Sequence, residues 1–163
     1  MKNHLLLVLL ACTIFLGACT DSSIKKEQSE AYVLGTAFLE ANAQKANIMT
    51  TETGLQYTVL KEGDGNTPVA KDTVKVHYRG TLINGDEFDS SYSRGEASSF
   101  PVNRVIPGWT EGLQLMKEGA KYRFYIPEDL AYGNRRTGKI VPYSALIFDV
   151  ELISIEVQST VSN

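Results

Sequence analysis

Residues 74–90 read VKVHYRGTLINGDEFDS and carry a strong strand–turn–strand signal. Val74, Val76 and Tyr78 alternate with polar residues, which places their apolar side chains on one face of a half-buried strand. The dipeptide Asn84-Gly85 follows, and it favours the tight turn of a β-hairpin because both residues accept a positive φ. We therefore expect two antiparallel strands joined by a turn at this dipeptide.

The period of two recurs in three other segments of the chain. Their apolar positions are Leu55, Tyr57 and Val59; Tyr122, Phe124 and Ile126; and Leu146, Phe148, Val150 and Leu152. In the first of these segments, Gln56 and Thr58 are expected on the opposite, polar face. Each segment is predicted to form a strand with one face turned toward a core.

One helix is indicated within the same region. It begins near Pro107, since proline is favoured at the first helical position, and it presents Trp109, Leu113 and Met116 on one face. Gly119 is expected to end it. The combination predicts an α+β fold in which one antiparallel sheet carries a short α-helix on its apolar face.

A separate helical pattern precedes the sheet. It runs from Ser29 to about Ala46, with Ser29 as the capping residue. The apolar positions at helical spacing form a narrow stripe of Leu34, Ala37, Phe38 and Ala41. We expect this stripe to pack on the domain or on a second copy of the chain.

The beginning of the chain has the pattern of an export signal. Lys2 precedes an apolar run from Leu5 to Leu16, which is too short to span a membrane comfortably. The run leads into LGAC, whose last residue is Cys19, and this resembles the lipobox of bacterial lipoproteins. The resemblance implies cleavage before Cys19 and a diacylglycerol on its thiol, and Thr20 resembles the outer-membrane sorting pattern. The alternative is an ordinary secretory signal with a cysteine there by chance.

The chain is thus predicted to have four parts. They are a lipoprotein signal peptide (1–18), a tether with a short helix (19–52), one domain (53–156) and a flexible tail (157–163).

The composition limits the chemistry that the chain can perform. The chain has 163 residues and a net charge of −3, which argues against a nucleic-acid-binding protein because such a protein needs a dense basic patch. Removal of the signal takes Cys12 away, and lipidation occupies Cys19, so no thiol remains for a disulfide or a thiolate metal site. The carboxylates are not clustered at metal-ligand spacing. We therefore expect neither a metal nor a cofactor.

His77 is the one histidine that remains after the signal, and it lies mid-strand on the polar face. We expect a solvated or hydrogen-bonded strand residue. A hydrolase that uses His77 as its base is the alternative.

An apolar aromatic set is the remaining chemical feature of the domain. Its members are Tyr78, Phe88, Trp109, Tyr132 and Phe148, and such a set forms either plain core or the walls of a pocket. Trp109 lies in the first turn of its helix, where a side chain can floor a cavity. Asp89 follows Phe88 directly, which places a carboxylate at the rim of the cluster. These two features favour the pocket.

Six ordered motifs resemble those of the FKBP-type peptidyl-prolyl cis-trans isomerases. They are VHYRG (76–80), FDSS (88–91), VIPGW (105–109), EGL (111–113), AYG (131–133) and LIFDVEL (146–152). The resemblance covers about residues 53–155 and implies a curved antiparallel sheet wrapped on one short helix. The preceding helix and TGLQY (53–57) resemble the macrophage infectivity potentiator branch of exported bacterial FKBPs. The long dimerising helix of that branch is absent, so the oligomeric state is left open.

The resemblance also implies roles for individual residues. The implied catalytic residues are Tyr78, Phe88, Asp89, Trp109, Tyr132 and Phe148, and the implied substrate-binding residues are Val105, Ile106, Ile140 and Arg94. Trp109 resembles the pocket floor, Ile106 the residue whose amide binds substrate, and Tyr132 the phenol that binds a substrate carbonyl. Asp89 resembles the rim carboxylate and Arg94 its cationic partner.

Two positions depart from the family pattern. Ser98 stands where many members carry an aromatic residue, which weakens one wall. The loop reads IVPY at 140–143 instead of the frequent Ile-Pro-Pro-Asn, so loop shape and substrate preference are open.

The implied activity is isomerisation of X-Pro bonds in polypeptides, which requires no nucleophile, metal or cofactor. The implied partners are proline-containing polypeptides, and the macrolide inhibitors of the family are candidate ligands. The expected location is the outer membrane of a bacterium, reached by export and lipid anchoring. A non-catalytic polypeptide-binding chaperone or surface interaction module is the alternative function.

Overall fold

A computed structural model describes residues 29–156 of the chain. The helices are α1 (Glu30–Ala43), α2 (Ser91–Arg94) and α3 (Pro107–Leu113), and 3-10 turns span Val102–Arg104 and Glu128–Leu130. The strands are β1 (Met49–Thr50), β2 (Gln56–Lys61), β3 (Thr73–Leu82), β4 (Glu87–Ser90), β5 (Ser98–Pro101), β6 (Lys121–Ile126) and β7 (Leu146–Glu156). The predicted signal segment, Cys19 and the tail lie outside the described residues.

The strands form one antiparallel sheet. Their order is β1-β2-β6-β7-β3-β4, and β5 pairs with β3 beside this path. The longest pairing joins β3 to β7, from Thr73 opposite Glu156 to Leu82 opposite Leu146, with a bulge after Lys75. The predicted α+β fold, with a helix on an antiparallel sheet, is confirmed. No helix in the range 29–156 is both long and apolar enough to cross a bilayer.

The alternation predicted for β3, β6 and β7 is confirmed. In β3, Val74, Val76 and Tyr78 are buried while Lys75 and Arg79 are exposed. The predicted hairpin turn is also present, since Gly85 has φ +92° and the Leu82 N–H donates to the Asp86 carbonyl at 2.9 Å. The core therefore lies on the sheet face that the apolar positions of these strands share.

Two glycines allow helix α3 to lie directly on β6. A Cβ at Gly108 would stand 2.6 Å from Ile126 Cγ2, and one at Gly112 would stand 2.7 Å from Phe124 Cε1. Such distances exclude a side chain at either position unless the sheet moves. The close approach buries Trp109 in the first turn of the helix.

The predicted end of this helix at Gly119 is wrong, because α3 ends at Leu113. The next N–H groups donate three residues back, from Leu115 to Gly112 and from Met116 to Leu113, so the chain tightens out of the α-helix. Met116 is still fully buried, as its apolar side chain requires, although it lies beyond the helix.

The predicted apolar stripe of α1 is wrong at three of its four positions; the fourth, Phe38, is half-buried and its ring lies 6.0 Å from that of Tyr125 on β6. Leu34 is 52% exposed, Ala37 and Ala41 are exposed, and the buried residues of the helix are Gly35 and Asn42. Gly35 faces Ala145, so closely that a Cβ on Gly35 would stand 3.0 Å from that of Ala145. Small and polar residues, with one aromatic contact and without a continuous apolar stripe, thus form the side of the helix that packs on the domain.

Polar groups connect α1 to β2. Asn42 Nδ2 donates to Gln56 Oε1 at 2.9 Å, and Gln56 Nε2 donates to the Leu39 carbonyl at 2.9 Å. Gln56 and Thr58 are consequently buried, so the prediction that they lie on an exposed polar face of this strand is wrong. The helix covers that side, and each buried polar side chain in the contact has a hydrogen-bond partner, as burial requires. Ser29 precedes the helix but makes no side-chain capping bond.

Helix α2 was not predicted from the sequence. Ser90 caps it by accepting a hydrogen bond from the Ser93 N–H at 3.2 Å, and Gly95 ends it with φ +78°. Its single turn positions Arg94 next to β4, where that residue reaches the candidate site.

Candidate active site

A cavity of about 640 Å³ opens between the sheet, the start of α3 and the segment 131–140. All nine residues predicted to form a pocket line it: Tyr78, Phe88, Asp89, Val105, Ile106, Trp109, Tyr132, Ile140 and Phe148. The indole of Trp109 and the phenol of Tyr132 therefore share one cleft. The tenth predicted site residue, Arg94, does not line the cavity but bonds to two residues that do.

Trp109 forms the centre of an aromatic cluster. Its ring centroid lies 5.2 Å from Tyr78, 5.7 Å from Phe100 and 5.2 Å from Phe148, with interplanar angles of 87°, 90° and 80°. These edge-to-face contacts are the arrangement that aromatic quadrupoles prefer. The indole is 4% exposed, and its Nε1 has no hydrogen-bond partner within residues 29–156. The cluster thus provides a packed, apolar base for the cavity.

Gly80 makes room for two of the aromatic walls. It lies opposite Phe148 on β7 and opposite Asp89 on β4. A Cβ at Gly80 would stand 2.6 Å from Phe88 Cε2 and 2.7 Å from Phe148 Cε1. The absence of a side chain at this position therefore lets the Phe88 and Phe148 rings meet edge to face at 5.4 Å.

A polar network lies at the edge of the aromatic cluster. Tyr78 Oη donates to Asp89 Oδ2 at 2.5 Å, and the Arg94 guanidinium forms an ion pair with the other oxygen of this carboxylate. Arg94 Nη2 also donates to Tyr78 Oη at 2.9 Å. Partial burial alone would raise the pKa of the Asp89 carboxyl, but the hydrogen bonds from Tyr78 and Arg94 hold this pKa below its ordinary value. Asp89 is therefore an ionised carboxylate and not a proton donor at neutral pH.

Ser98 extends this network instead of forming a wall. Its Oγ accepts a hydrogen bond from Arg94 Nη2 at 3.2 Å. The wall that sequence reasoning missed is Phe100, whose ring lies 5.9 Å from that of Tyr78 and lines the cavity. The signal was present in the spacing, because Phe100 follows Ser98 by two residues and so shares its face of β5.

Two hydrogen-bond donors in the site have no acceptor among the described residues. Neither the Ile106 N–H nor the Tyr132 hydroxyl bonds to any group in the range 29–156. Ile106 is the residue before α3, and its carbonyl accepts from the Trp109 and Thr110 N–H groups. Burial raises the pKa of Tyr132, the Asp89 charge adds to the increase, and the Arg135 charge opposes it. The phenol consequently keeps its proton and can donate it in a hydrogen bond.

The loop that departs from the family pattern still supplies a wall. Thr137 and Ile140 exchange backbone hydrogen bonds of 3.0 and 2.9 Å, and this small bridge directs Ile140 to a buried position in the cavity. Tyr143 takes a positive φ of 63°, and its N–H donates to the Gly133 carbonyl at 2.7 Å. Lys139 Nζ donates to the Glu87 carbonyl at 2.9 Å, which attaches the loop to β4.

His77 lies apart from the residues that line the cavity. Its Nδ1 is 2.9 Å from Ser91 Oγ, and its ring stacks on Tyr92 at 4.6 Å. Ser91 is fully buried, and its hydroxyl also bonds to the N–H and carbonyl of Tyr78. The Ser91 hydroxyl is thus buried and already hydrogen-bonded to protein groups, so it is not accessible to a substrate. Its contact with His77 is a structural hydrogen bond. Within residues 29–156, no group of three or more His, Cys, Asp or Glu side chains could hold a metal ion.

Comparison with protein families gives two matches. Residues 65–153 match the family of the FKBP-type peptidyl-prolyl cis-trans isomerase, and residues 17–59 match the domain amino-terminal to FKBP-type peptidyl-prolyl isomerase.

The chain is also similar to individual proteins of that description. It is 51% identical over 137 residues to an FKBP-type peptidyl-prolyl cis-trans isomerase, FkpA, of Aeromonas hydrophila, covering 84% of this chain and 51% of the relative. It is 44% identical to the outer membrane protein MIP of Legionella longbeachae, covering 83% and 59%. The crystal structure of FkpA from Escherichia coli superposes with a TM-score of 0.77 at 44% identity, covering 83% of this chain and 63% of the other. The chain thus spans about half to three-fifths of the length of these curated relatives.

Proposed function

Since the chain belongs to the FKBP-type peptidyl-prolyl cis-trans isomerases, we propose that this protein accelerates the rotation of X-Pro bonds in polypeptides. The observation that carries the proposal is the cavity itself, in which a buried indole and five further aromatic rings converge with two hydrogen-bond donors that have no acceptor within residues 29–156. A pyrrolidine ring fits an apolar base of this kind, and the donors match the carbonyls on either side of it.

The reaction needs no bond to be made or broken. The barrier to rotation is about 18–20 kcal/mol because amide resonance is lost in the twisted state, and the uncatalysed step takes roughly tens to hundreds of seconds. Water stabilises the planar resonance form by hydrogen bonding to the polarised imide carbonyl. An apolar cavity removes that water, so the twisted state is favoured relative to the planar one.

Each proposed role corresponds to a position in the cavity. Trp109 supports the proline ring, with Phe88 and Phe148 as neighbouring walls. The Ile106 N–H and the Tyr132 hydroxyl hold carbonyls that flank the proline while one side of the imide rotates. Since both donors lack an acceptor within residues 29–156, substrate binding breaks no hydrogen bond of that part of the chain.

Asp89 acts as a fixed charge at the rim. Its bonds to Tyr78 and Arg94 keep it ionised and hold the Tyr78 ring in place. The negative charge then orients the dipole of the twisted imide, and no proton is transferred.

The same cavity is the proposed site for the macrolide ligands that the family resemblance implies. A macrolide that places an apolar ring over Trp109 would exclude the proline ring, so we propose that such compounds inhibit by competition.

The location is a separate part of the proposal. We propose that Cys19 is lipidated and anchors the protein to a bacterial outer membrane after export. The lipobox resemblance supports this, and so does the name of the Legionella longbeachae relative, an outer membrane protein. Each buried CH2 of the attached lipid adds about 0.8 kcal/mol of membrane affinity. Labelling of cells with palmitate should mark the wild-type chain and leave Cys19→Ala unlabelled.

The activity is tested by NMR exchange spectroscopy on a short Leu-Pro peptide without a coupling protease. The wild-type chain should raise the cis–trans exchange rate above that in buffer, and a family macrolide should abolish the increase. Lys61→Ala, an exposed change on β2, serves as the control that keeps full activity. A folded wild-type chain that leaves the exchange rate at its buffer value would refute the proposed function.

A further inference from the structure

Three cations lie at the rim of the candidate active site. Arg104 ends the 3-10 turn before α3, while Arg135 and Lys139 belong to the loop that carries Ile140. All three line the cavity, and all three are exposed. Among residues 29–156, the one acidic residue that lines the same cavity is Asp89. The rim is therefore positive although the whole chain has a net charge of −3.

None of these three cations forms an ion pair within residues 29–156. The ion pairs in that range are Arg79–Glu87, Arg94–Asp89 and Arg123–Asp149. The Asp89 charge is compensated by Arg94. The Lys139 ammonium donates to the Glu87 carbonyl, and its charge also lowers the pKa of the Glu87 carboxyl. That carboxylate is already paired with Arg79, so it offsets the Lys139 charge only in part.

Two of the cations are coupled to groups that the proposed mechanism uses. The Arg135 charge acts on the Tyr132 phenol, which lies in the same cavity. The Lys139 bond to the Glu87 carbonyl places its charge next to the strand that carries Phe88 and Asp89. A polypeptide that puts its proline over Trp109 must therefore extend its flanking residues into a positive field.

Resting on the proposed function, we propose that this site selects X-Pro segments whose flanking residues are acidic. The recognising groups are Arg104, Arg135 and Lys139, and the ligand chemistry is a carboxylate side chain within a few residues of the proline. Because these cations are exposed, each favourable pair contributes modestly and is screened by salt. We expect a preference of about three- to tenfold for a doubly acidic peptide at low ionic strength.

The experiment compares three peptides with one Leu-Pro-Phe centre. They carry Glu, Gln or Lys on both flanks, so only the flanking charge differs. The value of kcat/KM from NMR exchange should rank Glu above Gln and Gln above Lys in 20 mM salt. The three values should converge in 500 mM salt, where the screening length falls to about 4 Å.

Two variants with the same net charge separate the effect of the rim cations from the effect of the net charge of the chain. The triple variant Arg104→Gln, Arg135→Gln and Lys139→Gln should reduce the Glu-to-Gln ratio to about one. The control removes three exposed lysines that do not line the cavity, by Lys61→Gln, Lys71→Gln and Lys117→Gln, and should keep the ratio. Equal values for the Glu and Gln peptides, or a ratio that survives in the rim variant, would overturn the inference.

Binding provides a readout that does not depend on catalysis. Trp109 is the one tryptophan of the chain, so its fluorescence reports occupancy of the cavity. The Kd should be lowest for the Glu peptide, higher for the Gln peptide and highest for the Lys peptide. If no peptide exchanges faster than in buffer, the proposed function fails, and the Kd ratio still decides the charge preference. If the Gln peptide is turned over but no charge preference appears in rate or Kd, only the charge selection fails.

Discussion

The Tyr78 hydroxyl donates a 2.5 Å hydrogen bond to the Asp89 carboxylate, and this bond joins the wall of the cavity to its rim. Tyr78 belongs to β3 and packs edge to face on Trp109, whereas Asp89 belongs to β4. Arg94 binds both partners from helix α2. The packing of Tyr78 on Trp109 and the ion pair of Asp89 with Arg94 thus depend on each other, because a shift of Tyr78 or Asp89 would break the hydrogen bond between them.

Asp89→Ala should therefore lower kcat/KM about tenfold while the protein stays folded, because one charge-assisted hydrogen bond to Tyr78 is lost. The Asp89 and Arg94 side chains are each 43% exposed, so the free energy of unfolding should change by less than about 1 kcal/mol. NMR exchange and chemical denaturation measure the two quantities. Asp86→Ala, at the exposed hairpin turn, is the control. An unchanged rate in the alanine variant would show that the network is not part of the mechanism.

Tyr132→Phe should reduce kcat/KM about fivefold by removing one hydrogen bond to substrate. The ring remains, and the hydroxyl has no protein partner within residues 29–156, so thermal stability should not fall. Tyr57→Phe removes a hydroxyl from a half-buried tyrosine on β2 and should leave the rate unchanged. If both variants had the wild-type rate, the Tyr132 hydroxyl would not be the donor proposed here.

Gly80→Ala should damage the cavity through sterics alone. The added Cβ would overlap the Phe88 and Phe148 rings at 2.6 and 2.7 Å, and such overpacking costs about 1–3 kcal/mol of stability. We expect a loss of activity with an altered near-UV circular dichroism spectrum. Adding Phe88→Leu should recover part of the stability because a smaller side chain makes room. A stable and fully active Gly80→Ala would contradict the placement of the two rings.

The core-facing sides of β3, β6 and β7 could be predicted from the sequence because side chains alternate between the two faces of a strand. Val74, Val76 and Tyr78 must share one face of β3, and the segments around Phe124 and Phe148 follow the same period, so the core face was determined by the chain itself. The place of Trp109 in the first helical turn indicated a cavity floor, whereas pocket positions such as Ile106 and Ile140 came from the family resemblance, and the structure brings all three to one cleft.

The contact of α1 could not be predicted in that way. Its apolar positions, such as Leu34, suggested the packing face, but the buried residues are Gly35 and Asn42. Their burial depends on Ala145 and Gln56, which are distant in sequence, and hydropathy carries no information about such partners. Helix α2 was missed because a single capped turn is too short for a periodic pattern.

Asn42→Ala should separate stability from activity. The change leaves buried Gln56 Oε1 without its donor, which costs about 1–3 kcal/mol of unfolding free energy. Gln44→Ala, at the exposed end of the helix, should cost little. The kcat/KM of folded Asn42→Ala should equal that of the wild type, because Asn42 does not line the active-site cavity. A large loss of rate at full folding would indicate that α1 acts on the site.

The pH dependence follows from the directions of two pKa shifts. The pKa of Asp89 lies below its ordinary value of 3.8, and the pKa of Tyr132 lies above 10.0, so neither group changes its charge between pH 5 and pH 9. The rate on a peptide without ionisable side chains should be flat over this range. A rate that changes with pH in this range would contradict these assignments, and a loss of activity in folded His77→Gln would instead assign the activity to the histidine.

Below this range, the stability should respond to Asp89. The folded state binds the proton of this carboxyl more weakly than the unfolded state does. Its stabilising contribution is thus complete above the ordinary pKa of 3.8 and is lost as the pH falls through the lower folded value. The gap in melting temperature between the wild type and Asp89→Asn should therefore be constant from pH 7 to pH 5 and narrow below about pH 4. A gap that widens on acidification would mean that Asp89 gains, and does not lose, proton affinity on folding.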